Sequence, residues 1–351
     1  MPSNPLVKHP PWRQLLIASV VVPVAITLAV MAFTWPAARI APRDLPVGVV
    51  SDGPAGEKVA LGLGQTQPGA FDLHLYPDDA AARRAIDDRD VYGAFEVTPE
   101  SVTVLTATAA SPAVAQLLTT VAQKVAGPPA RVTTVDVVPS SPGDARSSVF
   151  SSMMSPLVLG GEILAVVVAV LIGFRPAPRQ LLALGLVSAV TAGGVYLVVQ
   201  GYLGALPGNR LGDWGALALT LFALSATTAG LATLIGPGGV AAGAALMVFV
   251  GNPFAAITSA PELLPKAVAR LGQLMPPGAG SNLLRSTAYF GGHGAAIHVV
   301  VLVAWSVFGI VAIIEGHRRA ALRHAARHRV EPFEDSPLHE ALVHDSHLLE
   351  S

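Results

Sequence analysis

Cysteine is missing from all 351 residues. That excludes disulfides, thiolate metal sites, a cysteine nucleophile and a lipidated N-terminal cysteine. Charge is scarce too: 13% of residues are charged against 52% hydrophobic. An ordinary soluble protein of this length carries more charge and less apolar content. The net charge of −1 argues against nucleic acid as the main partner. Lysine is rare beside arginine, 4 against 18. With the abundant Ala, Gly, Pro and Val, that bias fits a high-GC bacterial source.

Several motifs are lacking as well. No GxxxxGK followed by Ser or Thr occurs, so the chain is not itself a P-loop ATPase. HExxH, GxSxG and paired Cys/His sites do not occur either, and Gly62-Leu63-Gly64 is too little to bind a nucleotide. Ser147, Ser148, Ser151 and Ser152 lack a His–Asp arrangement and read as linker. His324 and His328 sit four apart in the tail, with His339, His344 and His347 beyond them, and read as a solvated end. The sequence therefore predicts no catalytic, cofactor-binding or metal-binding residues.

What is present is one long apolar block from Met153 to Ile314, with most of its charges confined to short gaps. A window of about 19 residues divides it into five segments. These are roughly Met154–Phe174, Leu181–Gln200, Gly215–Ile235, Gly238–Ile257 and Ala296–Ile314. At about 1.5 Å per residue, each crosses an apolar layer of about 30 Å as a helix. Hydrocarbon offers the backbone no partners, so these segments must be helical. Leu15–Thr34 is a further span with Pro23 inside it. It follows a short N-terminal elbow (1–14) and, at about 20 residues, exceeds a signal-peptide core of 7–15. It is expected to stay uncleaved.

Residues 36–148 read as an inserted α/β domain. Strands are expected at Pro46–Ser51, Phe71–Tyr76, Val91–Val97, Ser101–Thr106 and Val132–Val138. Helices are expected at Asp78–Asp88, with Asp78 or Asp79 as N-cap, and at Ser111–Ala126, with Pro112 in first position. Ala55–Leu63 reads as a short helix or loop, and Thr98-Pro99-Glu100 as a turn. Arg175–Arg179 is a tight turn between spans, and Gly201–Asp213 a longer connection. In the loop 258–293, Ala260–Leu274 predicts an amphipathic helix with Leu263, Leu264, Ala267, Val268 and Leu271 on one face. Met275 to Gly278 then breaks this helix before a second one at Ser281–Phe290. The five-helix block (153–315) ends in a basic helical tail, His317–Arg329, within a terminal segment 316–351.

Lys and Arg counts set the orientation. Lys8, Arg13, Arg175, Arg179, Arg318, Arg319, Arg323, Arg327 and Arg329 lie at one set of ends, nine in all. Arg210, Lys266, Arg270 and Arg285 are the four opposite. Six spans then put both termini in the cytoplasm of a multi-pass bacterial cell-membrane protein. The α/β domain and the loop 258–293 face outward, and the basic tail touches anionic lipid.

Glu162 is the sharpest single signal. If the span began at Ile163, only about 12 residues would precede Arg175, too few to cross. Glu162 therefore lies within the apolar layer, where a charged side chain costs roughly 2.5–3.5 kcal/mol. It is either a substrate or proton contact, or a protonated acid bonded to a neighbouring helix or reaching water near Gly160-Gly161. Gln200, Asn252 and Thr227/Thr228 are its candidate polar contacts. Asn252-Pro253 interrupts the fifth span, which makes Asn252 a second pathway candidate. Small residues such as Gly193-Gly194, Gly230 and Gly243 predict close helix packing.

The layout of one span, an outward α/β domain and five spans resembles the membrane subunit of type 2 ABC exporters, in the phage-infection-protein-like branch. The stretches that carry the resemblance are Leu45–Ser51 (LPVGVVS), Asp78–Val97 (DDAAARRAIDDRDVYGAFEV) and Pro261–Phe290, before the last span. The resemblance implies an α-helical integral membrane protein with six transmembrane helices. It implies export of a hydrophobic or amphipathic substrate, a separate ATPase subunit and a dimer of permeases. The chain departs from that pattern at Arg175–Arg179, which leaves only the N-terminal elbow, this turn and the C-terminal helix to dock an ATPase. Two other expectations stand beside it: a non-transporting anchor whose outer domain binds a cell-envelope or protein partner, and an intramembrane enzyme using Glu162. The last lacks a second acid/base group.

Overall fold

A computed structural model describes residues 12–50, 61–62, 64, 67–98, 101–126, 131–172 and 176–330. The chain is mostly helical, about 70%, with one small sheet. Six helices are long and apolar enough to cross a membrane.

The first, α1 (Trp12–Ala37), runs through Pro23 and Pro36 and is almost wholly exposed. It leads into a five-stranded sheet of order β2-β1-β3-β4-β5. The strands are β1 (Leu45–Val50), β2 (Phe71–Tyr76), β3 (Gly93–Val97), β4 (Ser101–Thr106) and β5 (Arg131–Asp136). β1 pairs in parallel with both β2 and β3, β3 with β4 is antiparallel, and β4 with β5 is parallel. Side-chain alternation sorts the residues between two faces. Leu45, Val47, Phe95, Val102 and Val104 pack under α3 (Pro112–Ala126) through Val114, Leu118 and Val121. Val50, Ala94 and Leu105 face the other way, against Ala82, Ala85 and Ile86 of α2 (Asp79–Asp87). Asp78 caps α2 by accepting from Ala81 N at 2.7 Å, and Ser111 Oγ accepts from Val114 N at 3.3 Å at the start of α3. The segment Ala55–Leu63 and the turn at Pro99-Glu100 fall largely outside the described residues.

Asp144 ties the sheet domain to the helical block. It accepts from Val149 N at 3.0 Å and Phe150 N at 2.8 Å, satisfying two first-turn donors of α4 (Ser148–Ile172). Then follow α5 (Ala177–Tyr196), α6 (Arg210–Ile235), α7 (Pro237–Ala245), α8 (Lys266–Gln273), α9 (Pro276–Tyr289) and α10 (Ala295–Val330). The hub is α6, which touches α4, α5, α7, α9 and α10. Its contact with α10 is backbone to backbone. A Cβ on Gly309 would lie 2.5 Å from Ala226 C, so glycine is required for that approach.

Five expectations are corrected. The turn at Arg175–Arg179 is half helix, because α5 already begins at Ala177. Asp213 does not lie in a connection: Asn209 caps α6 by accepting from Leu211 N and Gly212 N, so the helix starts before Asp213 and buries it. The fifth span is not interrupted at Asn252-Pro253. It continues from α7 through a π-helical turn, Leu246–Gly251, into Asn252–Phe254. Pro253 has no N–H to give the preceding turn, and the widened turn absorbs the mismatch. Ala260–Leu274 is not one helix. Pro265 holds Leu264 extended (φ −93, ψ 161), so a 3-10 turn at Pro261–Leu263 is separated from α8. Ala269 and Gly272 form the buried side of α8, while Ala267 and Leu271 are exposed. Finally, the expected break after α8 is present, at Leu274 and the extended Met275, but the second helix does not wait for Ser281: Pro276-Pro277-Gly278 already forms the first turn of α9.

Candidate functional site

Glu162 sits on the buried face of α4 and is only 6% exposed. Its Oε2 accepts from Thr228 Oγ1 of α6 at 2.7 Å, while Oε1 is buried with no partner. Glu162 forms no ion pair among the described residues. Glycines bring three helices together around it. A Cβ on Gly161 would lie 2.8 Å from Leu224 Cβ, and one on Gly243 of α7 would lie 2.4 Å from Thr228 Oγ1. Glu162 thus meets the neighbouring helix through one of its candidate contacts, Thr228, and does not reach open water beside Gly160-Gly161.

Asn252, at the end of the α7 segment, donates from Nδ2 to Ser155 Oγ of α4 at 3.2 Å. Ser155 lies two turns from Glu162, about 10 Å along α4. Both pathway candidates therefore lie on the side of α4 that turns toward α6 and α7. They do not touch each other. Gln200 turns elsewhere, with Oε1 accepting from Leu206 N at 2.7 Å.

At the opposite end of this seam a cavity of about 830 Å³ opens among α4, α5, α6, α7 and α10. Val166, Val170 and Val240 give it apolar walls, and Gln180, His317 and Arg323 supply polar groups. Gln180 is 2% exposed, and its Oε1 has no partner. The sequence reading missed Gln180 because it sits beside Arg179, in what looked like a turn. It also missed Ser155, which nothing in the local pattern distinguishes.

A second polar cluster joins the sheet domain to the segment 258–293. Arg43 Nη1 donates to Leu263 O at 2.8 Å, Asp44 pairs with Lys266, and Asp88 pairs with His293 at 2.8 Å. Arg89 reaches Asn282 O at 3.2 Å, Asn282 Oδ1 at 3.0 Å and Ser286 Oγ. Tyr92 donates to Glu262 Oε2 at 2.9 Å. Arg285 lies beneath, 4% exposed, donating to Ile257 O at 3.1 Å and stacked over Phe150. Burial lowers both guanidinium pKa values, that of Arg285 to about 10, with Arg89 adding to its fall. Burial and the charge of Glu262 raise Tyr92 far above its ordinary value. Arg285 within Asn282-Leu283-Leu284-Arg285 was a readable hint, since a lone cation beside two leucines on a helix points inward.

No family model, curated protein or solved structure matches this chain.

Proposed function

We propose that the chain is the membrane subunit of an exporter for hydrophobic or amphipathic molecules, driven by a separate ATPase. The six apolar helices cross the bacterial cell membrane with both termini in the cytoplasm, and the sheet domain lies outside. The observation that carries the reading is the seam along α4. A large, mostly apolar cavity lies at its basic-loop end, a half-satisfied buried acid midway and Asn252 beyond. A carboxyl held inside an apolar layer with one oxygen unpaired costs free energy that packing alone does not repay, and such groups mark transport paths. The continuous basic helix α10 and the α4–α5 turn offer the surface on which an ATPase docks. As a dimer, two copies would enclose the path between them.

The test combines partner and path. Purification in mild detergent should recover an ATPase. Glu162→Gln and Asn252→Ala should each lower cellular export of a fluorescent amphipath by about tenfold without lowering the amount of protein. Failure to recover an ATPase, together with unchanged export in both variants, overturns the reading. It would favour a non-transporting anchor for the sheet domain.

A further inference from the structure

Where the sheet domain meets the 258–293 segment, a cavity of about 270 Å³ is lined by Arg89, Tyr92, Glu262, Asn282, Phe290 and His298. At about 30 Å³ per water, it admits a ligand of about nine heavy atoms. Two groups of opposite charge face it, Arg89 and Glu262, and they do not pair with each other. Each holds unused capacity. A guanidinium has five N–H donors, and Arg89 spends three, on Asn282 O, Asn282 Oδ1 and Ser286 Oγ. The Glu262 carboxylate takes a single hydrogen bond among the described residues, from Tyr92. Arg285, behind Asn282, adds positive charge on the Arg89 side.

A cluster built only to hold two bodies together would close Arg89 onto Glu262, because partly buried charges gain by pairing. Here Arg89 is bonded to Asn282 and Glu262 to Tyr92, and no contact within 4 Å joins the two charged groups although both line the cavity. Arg89 is the left-handed residue (φ 66) just after the C-cap of α2, where Asp90 N donates to Ala85 O and closes the helix. Its hydrogen bonds to Asn282 and Ser286 fix its fork at the cavity wall.

We propose that this cavity binds a small zwitterion, its oxyanion on Arg89 and its primary ammonium on Glu262, with Tyr92 and Phe290 as walls. The ligand chemistry is an ammonium and a phosphate or carboxylate joined by a short carbon chain. A free aminoalkyl phosphate or amino acid supplies it, and so does an ethanolamine phospholipid headgroup. His298 belongs to the first turn of a helix long and apolar enough to cross a membrane, which puts a headgroup within reach. This inference does not depend on transport.

The test uses the full-length protein in detergent, titrated with O-phosphoethanolamine and followed by phosphorus NMR and thermal shift. Inorganic phosphate and ethanolamine serve as half-ligands. O-phosphoethanolamine should bind at least tenfold more tightly than either half. Glu262→Gln, which keeps an acceptor for Tyr92, and Arg89→Lys should each weaken it by about tenfold or more. In nanodiscs containing phosphatidylethanolamine, loss of the response to the free probe assigns the site to the headgroup. A response that persists assigns it to a soluble zwitterion. No binding of O-phosphoethanolamine by the wild-type protein in detergent, equal binding of inorganic phosphate, or undiminished binding by Glu262→Gln overturns the proposal.

Discussion

Valine at position 228 keeps the shape of threonine and deletes one hydroxyl. Among the described residues that hydroxyl is the only donor to the Glu162 carboxyl, at 2.7 Å, and the other carboxyl oxygen is buried without a partner. Thr228→Val therefore leaves a buried carboxyl with neither oxygen satisfied, at a cost of about 1–3 kcal/mol. Replacing Glu162 by leucine removes the unsatisfied group instead. In that background Thr228 has lost its acceptor, so Thr228→Val becomes neutral or slightly stabilising. The four proteins form a double-mutant cycle with an expected coupling of about 1–3 kcal/mol. Reversible denaturation in mixed micelles, followed by circular dichroism, measures it. If the two substitutions add within about 0.5 kcal/mol, the pair does not interact and the account of the seam fails.

Gly243→Ala should disturb the same pair from the other side. Its Cβ would fall 2.4 Å from Thr228 Oγ1, so the double mutant with Thr228→Val should be less than additive in the same denaturation assay. Gly309→Leu should separate α6 from α10 and lower stability by more than about 2 kcal/mol, read as a fall in melting temperature. Asp144→Ala strips two backbone hydrogen bonds and the Ser148 hydroxyl contact from the start of α4 and should cost about 2 kcal/mol, with Asp144→Asn about half of that. Protease added to intact cells should cut a tag inserted beside Asp87 and spare a tag at the C-terminus; the reverse pattern refutes the orientation.

The apolar helices are legible because length and hydropathy suffice to find them, whatever face each presents. The sheet domain is legible through period-two alternation and through Asp78 and Pro112, which mark helix starts locally. Glu162 stands out because a lone acid in an apolar run has few places to go. The errors have local physical causes. Pro265 cuts Ala260–Leu274 at a point where the apolar spacing alone suggests continuity. Asn209 moves the start of α6 five residues ahead of the apolar run, carrying Asp213 inside. The Arg89–Glu262 cluster is illegible for a different reason. Its members come from two segments some 170 residues apart, and only tertiary docking brings them to one cavity.

The last helix has a mechanical consequence. Thirty-six continuous residues rise about 54 Å, well beyond the roughly 30 Å of a hydrocarbon core. One end adjoins His293, which grips Asp88 of the sheet domain, and the other carries the arginines beyond Glu315. A rigid rod of that length is a lever: leaning it by about 10° sweeps its far tip about 9 Å. Because the rod lies backbone to backbone on α6, a rocking of the sheet domain that leaned it would have to carry α6 along, and would then displace the opposite extremity by several side-chain widths.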